Sequence, residues 1–502
     1  MQFTSFDFLV FFPVVVLLFY LMPRRLRQLW LLLASYYFYM GWNAKYALLI
    51  LASTIITYLC AVLMDRVGIQ DGSRRTCRWI LAAGIVSNLA ILVFFKYFYF
   101  LHDTFAALFS VFGVQIRAPR LEILLPVGIS FYTFQALGYV IDVYRGTVKA
   151  EKNFVRYALF VSFFPQLVAG PIERSGNLLG QLEKISDKKL SEGPWSFEKA
   201  TRGMLLILWG FFMKMVIADR AAVLVNQVFG IYYMFSGVAL TLAIVLFAVQ
   251  IYCDFASYSV IAMGAAKVLG IDLMTNFEAP FFSRSIGEFW RRWHVSLSSW
   301  FRDYLYIPLG GGRCSKPRKY LNNMVTFVVS GLWHGASWNY VVWGAIQGLY
   351  IVIGDLTRPL KAKCTSFFHV RVKTFGYQFF QGLCTFFLFV LSLVFFRADT
   401  VKDAVYYIQR MFTTFDVWSL FDESVYYLGL DKKEMGILWA GILLLILVDA
   451  CYARKRVLFD TVVKSQCLAV QYVIVAVLLV MVIVFGVYGE GYDASQFIYF
   501  QF

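Results

Sequence analysis

Residues 330–344 read SGLWHGASWNYVVWG. His334 stands there between the apolar runs 321–335 and 338–354, far from any stretch of soluble character. In a bilayer an ionisable ring is costly, so a retained one marks a functional site by default. The chain has only four histidines in 502 residues. Imidazole is also the side chain whose ordinary pKa suits proton transfer near neutrality. Gly331 and Gly335, four residues apart with Ala336 next, allow a helix or a ligand to approach closely. Trp333, Trp338 and Trp343 supply apolar walls. At this level two readings stand: a proton-transfer group, or a hydrogen-bonded histidine that ties helices together.

Outward from this segment, further apolar runs lie near 6–22, 29–41, 45–64, 79–101, 123–142, 154–170, 203–218, 234–252, 254–270, 375–396, 434–452 and 468–488. A span needs about 20 apolar residues, and several of these runs are shorter. The pattern predicts an all-α polytopic membrane protein with roughly 10–13 transmembrane helices plus re-entrant or interfacial ones. Non-spanning backbone at membrane depth survives only inside protein or beside a water-filled cavity, so the short runs point to an internal cavity. The first run ends in Pro23-Arg24-Arg25, without a preceding basic region or a following small-residue cleavage site. It reads as a retained span whose far end is cytoplasmic.

Composition agrees. Hydrophobic residues make up 60% of the chain and charged residues 15%, against about a quarter charged in soluble domains. The net charge of +16 reads as positive-inside bias over many loops. The clusters Arg24/Arg25/Arg27, Arg74/Arg75/Arg78, Lys316/Arg318/Lys319 and Arg454/Lys455/Arg456 all flank apolar runs, as expected where loops face anionic lipid. No soluble basic domain offers a nucleic-acid surface. The eight cysteines form no C-x-x-C pair, so neither a metal nor a redox site is expected. No repeat or low-complexity linker appears, and the absence of matched halves argues against a transporter. The chain reads as one integral-membrane domain, 1–502, with N-terminal helices to 150, a core at 151–355 and C-terminal helices at 356–502. The most polar insertions are Glu173–Lys199, expected to cap the cytoplasmic side, and Asp399–Lys433, a candidate docking segment.

Three further polar elements crowd the middle third. In PQLVAGPI (165–172), Gln166, two prolines and a glycine interrupt an apolar run. This is either a helix end or kink or a loop lining a cavity. In QIYCDFASYS (250–259), Asp254 lies between apolar runs. It is either a buried acid bonded to tyrosine or serine hydroxyls or a group that orients the site. The third, IGEFWRRWHVSLSSWFRDYLY (286–306), reads at helical spacing as one amphipathic interfacial helix. Ile286, Phe289, Trp290, Trp293, Leu297, Trp300, Phe301 and Tyr304 share one face, and Glu288, Arg291, Arg292, Ser298, Arg302 and Asp303 the other. His294 falls roughly 80° from the centre of the apolar face, with a docking and a catalytic reading equally open. His102 and His369 sit in or beside loop-like segments and are set aside. Gly310-Gly311-Gly312 lacks the P-loop pattern, and no G-x-S-x-G or H-E-x-x-H motif occurs.

With these residues in view, the chain resembles the membrane-bound O-acyltransferase superfamily, in particular its bacterial alginate O-acetylation branch. The stretches that carry the resemblance are PQLVAGPIER (165–174), YCDFASYSVIAMGAAKVLGI (252–271), NFEAPFFSRSIGEFWRRWHVSLSSWFRDYLYIPLGG (276–311), SGLWHGASWNYVVWG (330–344) and the terminal FIYFQF (497–502). The teichoic acid D-alanyl transferases share the same core motifs. The resemblance implies helices around a central tunnel or funnel, an essential histidine at His334 and a second site histidine at His294. It also implies a thioester donor, acetyl-CoA or an acylated carrier protein, with no bound cofactor. The acceptor would be a hydroxyl of an extracytoplasmic polysaccharide, reached through a separate esterase-like partner, from a site in the cell membrane.

In such a site a histidine draws off the hydroxyl proton in the transition state, an effect worth about 10²–10⁴-fold. His334 takes that role as general base. His294 positions the donor or stabilises the oxyanion. A covalent acyl-enzyme is the other route. Trp333, Trp338, Asp254, Arg302 and Gln166 are the remaining candidates for the tunnel lining. The alternatives are D-alanyl or other acyl transfer to a wall polymer and, from a different class, a proton-coupled transporter or flippase.

Overall fold

The computed structural model describes residues 1–68, 74–115, 121, 125–186, 196–454, 466–488 and 497–498. Parts of the sequence expectations fall outside these residues. They are the start of the 123–142 run, the middle of the Glu173–Lys199 insertion, Lys455 and Arg456, and residues 499–502.

Among the described residues every regular element is a helix. Six helices are long and apolar enough to cross a bilayer: Ala44–Val67, Arg74–Ser110, Phe197–Gly230, Gly237–Val268, Phe375–Arg397 and Lys432–Ala453. The pair Trp338–Leu356 and Arg358–Phe367, bent by 47°, makes a seventh if it is one span. Other apolar runs of the sequence lie in shorter or broken helices of the described residues. Phe6–Leu21 has 16 residues. The 154–170 run breaks at Phe163, where one non-helical residue separates Phe154–Ser162 from Phe164–Leu167.

The chain divides into two compact units. The first holds Met1–Ile207 and Ile261–Met274. Several of its buried polar groups are paired, as a low-dielectric interior favours. Tyr157 donates to Thr57 Oγ1 at 2.7 Å, Gln28 to the Leu182 carbonyl at 2.7 Å, and Phe164 N–H to Ser35 Oγ at 3.0 Å. Glu173, 2% exposed, accepts from the Met274 N–H and from Asn177 Nδ2. That carboxylate pins the chain just before it leaves the unit.

The second unit holds Leu208–Val260 and Thr275–Phe502. Six helices matter for the site. They are α1 (Gly237–Val268, of which residues to Val260 belong here), α2 (Ile286–Arg292), α3 (Val295–Phe301), α4 (Lys316–His334), α5 (Trp338–Leu356) and α6 (Phe375–Arg397). Helix α2 starts at Ser285, whose hydroxyl accepts from Glu288 N–H, and Glu288 in turn accepts from Arg284 N–H. This is the S-x-x-E cap signature, displaced by one residue. Helix α5 starts at Ser337, which accepts from Asn339 N–H.

Helices α4 and α5 form a hairpin packed backbone to backbone. A Cβ on Gly331 would sit 2.2 Å from the Tyr340 carbonyl oxygen, and one on Gly344 2.4 Å from that of Phe327. The glycines predicted to permit a close approach therefore receive a helix there. A Cβ on Gly335 would meet the Tyr340 ring.

Candidate active site

The segment 286–306 is not one helix. Helix α2 closes with Trp293 N–H on the Phe289 carbonyl, and α3 opens with Ser298 N–H on the His294 carbonyl. His294 stands between them at φ 46°, in the left-handed region. For a residue with a Cβ that conformation costs roughly 1–2 kcal/mol, so the surroundings must hold it. The spacing analysis placed His294 on the edge of a continuous apolar face. The break instead turns its ring inward, and it is fully buried. Most of the predicted face is buried: Ile286, Phe289, Trp290, Trp293, Leu297, Trp300 and Phe301 are, while Tyr304 is only half-buried.

Asn276, 1% exposed, holds the break. Its Oδ1 faces His294 Nδ1 at 3.3 Å and accepts from Ser296 N–H at 3.2 Å and Ser296 Oγ at 2.7 Å. Its Nδ2 donates to Ser259 Oγ on α1 at 3.1 Å, and its carbonyl accepts from Val295 N–H at 2.9 Å. The Phe255 ring, also on α1, meets the His294 ring edge-on at 4.6 Å. His294 lies outside the spanning helices. Burial, with His334 adding to it, holds its imidazole well below the usual histidine range, which favours the neutral form.

His334 is the last residue of α4 and is 3% exposed. Its ring meets Trp343 of α5 at 5.1 Å and Phe396 of α6 at 5.6 Å, both near-perpendicular. Trp333 bridges the histidines, with ring centroids 6.0 Å from His294 and 5.1 Å from His334. The only two buried histidines of this chain thus share one aromatic enclosure. Trp290 of α2 packs on Trp343 at 5.8 Å and donates to Gln347 Oε1, and Gln347 Nε2 donates to Ser392 of α6. That chain of bonds locks α2, α5 and α6 around His334.

A cavity of about 450 Å³ is lined by Trp290, Arg291, Arg302, Thr326, Phe327 and Ser330 among others, and neither histidine lines it. The volume suits a small-molecule arm. Ser330 lies one helical turn before His334. Arg302, 62% exposed in its side chain, forks onto Asp303.

The other sequence candidates fall in different places. Trp338 begins α5 and is 53% exposed, unlike Trp333 at 4%. Gln166 is buried in the first unit, with Nε2 donating to the Phe160 carbonyl. Asp254 is 2% exposed; Ser257 Oγ donates to its backbone carbonyl at 2.7 Å, but among the described residues its carboxylate does not take the tyrosine or serine hydroxyl that was expected. Its Oδ1 lies 2.5 Å from Lys214 Nζ, and its Oδ2 accepts from the Ile498 N–H at 2.7 Å. Lys214 also pairs with Asp219 at 2.8 Å. Two bonded neighbours make Asp254 part of a buried ion network, and its link to the site is Phe255, the next residue, on the His294 ring. His102, in the first unit, pairs with Asp103, and His369 is exposed.

Asn276, Lys214 and Gln347 were not singled out from the sequence. Lys214 was legible, as a lysine in the apolar run FFMKMVIA. Asn276 carried no signal, because nothing local says that a loop asparagine meets a histidine 18 residues on.

Residues 148–396 match the model of the membrane-bound O-acyltransferase family. The chain is 38% identical over 467 residues to a probable alginate O-acetylase of Pseudomonas aeruginosa, covering 93% of this chain and 84% of that protein. It is 31% identical over 408 residues to a peptidoglycan O-acetyltransferase of Helicobacter pylori, covering 76% and 73%. A teichoic acid D-alanyltransferase of Streptococcus thermophilus is 31% identical over 240 residues, 46% of this chain and 56% of that protein. Acyl transfer unites the three names.

Proposed function

The chain belongs to the membrane-bound O-acyltransferase family and is a multi-pass O-acyltransferase, and we propose that it moves an acetyl group from a cytoplasmic thioester to hydroxyls of an extracytoplasmic polysaccharide. The observation that carries this reading is the enclosure itself: two buried histidines bridged by Trp333. A base in a dry site is what the reaction needs, and the separate cavity lined by Trp290 and Ser330 supports a slot for a thioester arm.

His334 acts as general base. The acceptor O–H gives its proton to the imidazole as the oxygen attacks the thioester carbonyl. The C–S bond then breaks, and the departing thiolate takes the proton back. The tryptophan and phenylalanine walls exclude water, which would otherwise hydrolyse the thioester. Arg291 and Arg302 at the cavity suit the phosphates of acetyl-CoA or of a carrier's phosphopantetheine arm. A tunnel would carry the acyl group to the far face of the cell membrane, where a partner esterase-like protein completes transfer to the polymer. Coverage favours acetyl over D-alanyl transfer, because the O-acetylating relatives align along most of the chain and the D-alanylating one along less than half.

The test compares ester-linked acetate on surface polysaccharide in cells carrying wild type and His334→Ala at matched membrane expression. Loss of acetate with intact protein supports the reading. Unchanged acetate, together with unchanged thioester turnover in isolated membranes, refutes it.

A further inference from the structure

We propose that Asn276 is a positioning residue that fixes His294 in the Nδ1–H tautomer, so that its Nε2 accepts a hydrogen bond in the active site and does not donate one to an oxyanion. This deepens the acyl-transfer reading and rests on it for the consequence, though not for the tautomer. The argument starts from a donor whose role is unambiguous. A backbone N–H can only donate, and that of Ser296 points at the Asn276 side chain at 3.2 Å. The atom it meets must therefore be the amide oxygen, since an amide nitrogen there would set donor against donor. The opposite end of the same amide is then the nitrogen, and it finds an acceptor, Ser259 Oγ, at 3.1 Å. With the oxygen so placed, the His294 nitrogen 3.3 Å from it must carry the proton. A neutral imidazole protonated at Nδ1 has a lone pair at Nε2.

The scaffolding leaves little freedom. Asn276, Ser296, Ser259 and His294 are each at most 1% exposed, so water cannot substitute for a lost partner. The Asn276 carbonyl holds Val295 N–H, and Glu278 N–H holds the Arg292 carbonyl at 2.9 Å. The two strands of chain on either side of His294 are thus clamped to one loop, which explains how its left-handed backbone is maintained. Burial of the ring also favours its neutral form, the form for which a tautomer matters.

The consequence separates the two histidines. An Nε2 acceptor at His294 can take a hydrogen bond from the attacking hydroxyl or the departing thiol. Oxyanion stabilisation must then come from elsewhere. Fixing the wrong tautomer of a histidine in a serine-protease triad costs about 10⁴ in kcat, so the device has the size to matter.

The test uses full-length protein in proteoliposomes, labelled with ¹⁵N-histidine. Four histidines make the spectrum assignable, with the His294 signals identified by their loss in His294→Gln. Magic-angle-spinning spectra at neutral pH are expected to show His294 protonated at Nδ1 in the wild type. Asn276→Ala is expected to lose that preference and to lower acetate transfer at least tenfold. Asn276→Asp keeps an acceptor for Ser296 and His294 but adds charge. It is expected to keep the Nδ1 proton and to move the His294 titration up by one pH unit or more. A wild type protonated at Nε2, or an Asn276→Ala that keeps the Nδ1 proton, overturns the inference. Failure of the wider reading looks different: His294→Gln then leaves acetate transfer intact while the tautomer is as stated.

Discussion

Gly331→Ala tests whether the α4–α5 hairpin sets the position of His334. The added Cβ would lie 2.2 Å from the Tyr340 carbonyl oxygen and 3.0 Å from the Gly344 Cα. Ordinary contact begins at 3.4 Å, and both neighbours are backbone, so no rotamer change relieves the clash. The two helices must part by about 1 Å in a close-packed interior. Overpacking of that kind costs about 1–3 kcal/mol. His334 follows one turn later and takes its place from Trp343 on the opposite helix. A displacement of about 1 Å at a reacting group can cost ~10²-fold in rate. Gly354→Ala is the control on the same hairpin, since a Cβ there meets nothing within 4 Å. Alanine in that helix gains about 0.5–1 kcal/mol over glycine. The assay measures the fraction of detergent-extracted protein that stays monodisperse after heating, alongside ester-linked acetate in cells. Gly331→Ala is expected to lose most acetate and several degrees of heat resistance, and Gly354→Ala to lose neither. If Gly331→Ala matches wild type in both, the hairpin does not position His334 and the reasoning fails.

Other expectations follow from single contacts. Lys214→Met leaves Asp254 and Asp219 buried without their shared cation, at a cost of about 3–5 kcal/mol; heat resistance should fall sharply and largely recover when both aspartates are also made asparagine. Thr326→Trp fills part of the cavity lined by Trp290 and Ser330; it should raise KM for the thioester donor at least tenfold in membrane assays, and an unchanged KM would place the donor elsewhere. Burial raises the Glu173 carboxyl from 4.5 to about 6, against the opposing hydrogen bonds from Met274, Asn177 and Arg174. Because the folded value is the higher one, this contribution to stability is present below pH 4.5 and lost as pH rises through 6. Relative to Glu173→Gln, wild type should therefore gain about 2 kcal/mol between pH 7 and pH 4, read from paired unfolding midpoints; a difference independent of pH would show that the carboxyl is not perturbed.

The burial of His334 was legible because rarity and hydropathy act locally, whereas at His294 the spacing left a docking and a catalytic reading open and only the family resemblance singled it out. A polar ring in an apolar run stands out whatever it touches, and the four-residue spacing of Gly331 and Gly335 announces a close approach without saying by what. Helical periodicity likewise gave the buried face of residues 286–301 correctly. It missed the break at His294, because a 3.6-residue repeat extrapolates straight through a point where the chain leaves the helix for a single residue. Asp254 was recognisable as a buried acid, but its partners lie 40 residues before it and 244 after.

By itself the sequence determined the helical membrane class and, through its resemblance to a known family, the acyl-transfer family and two candidate site histidines. Class follows from composition and periodicity and the resemblance from motifs, all of which are properties of neighbours along the chain. Only the tertiary structure decided that Trp333 joins the histidines, that Asn276 orients one of them, and that Lys214 neutralises Asp254. Those pairings come from packing distant segments in a low-dielectric interior, where each buried polar atom must find a partner, and which partner is within reach depends on the fold as a whole.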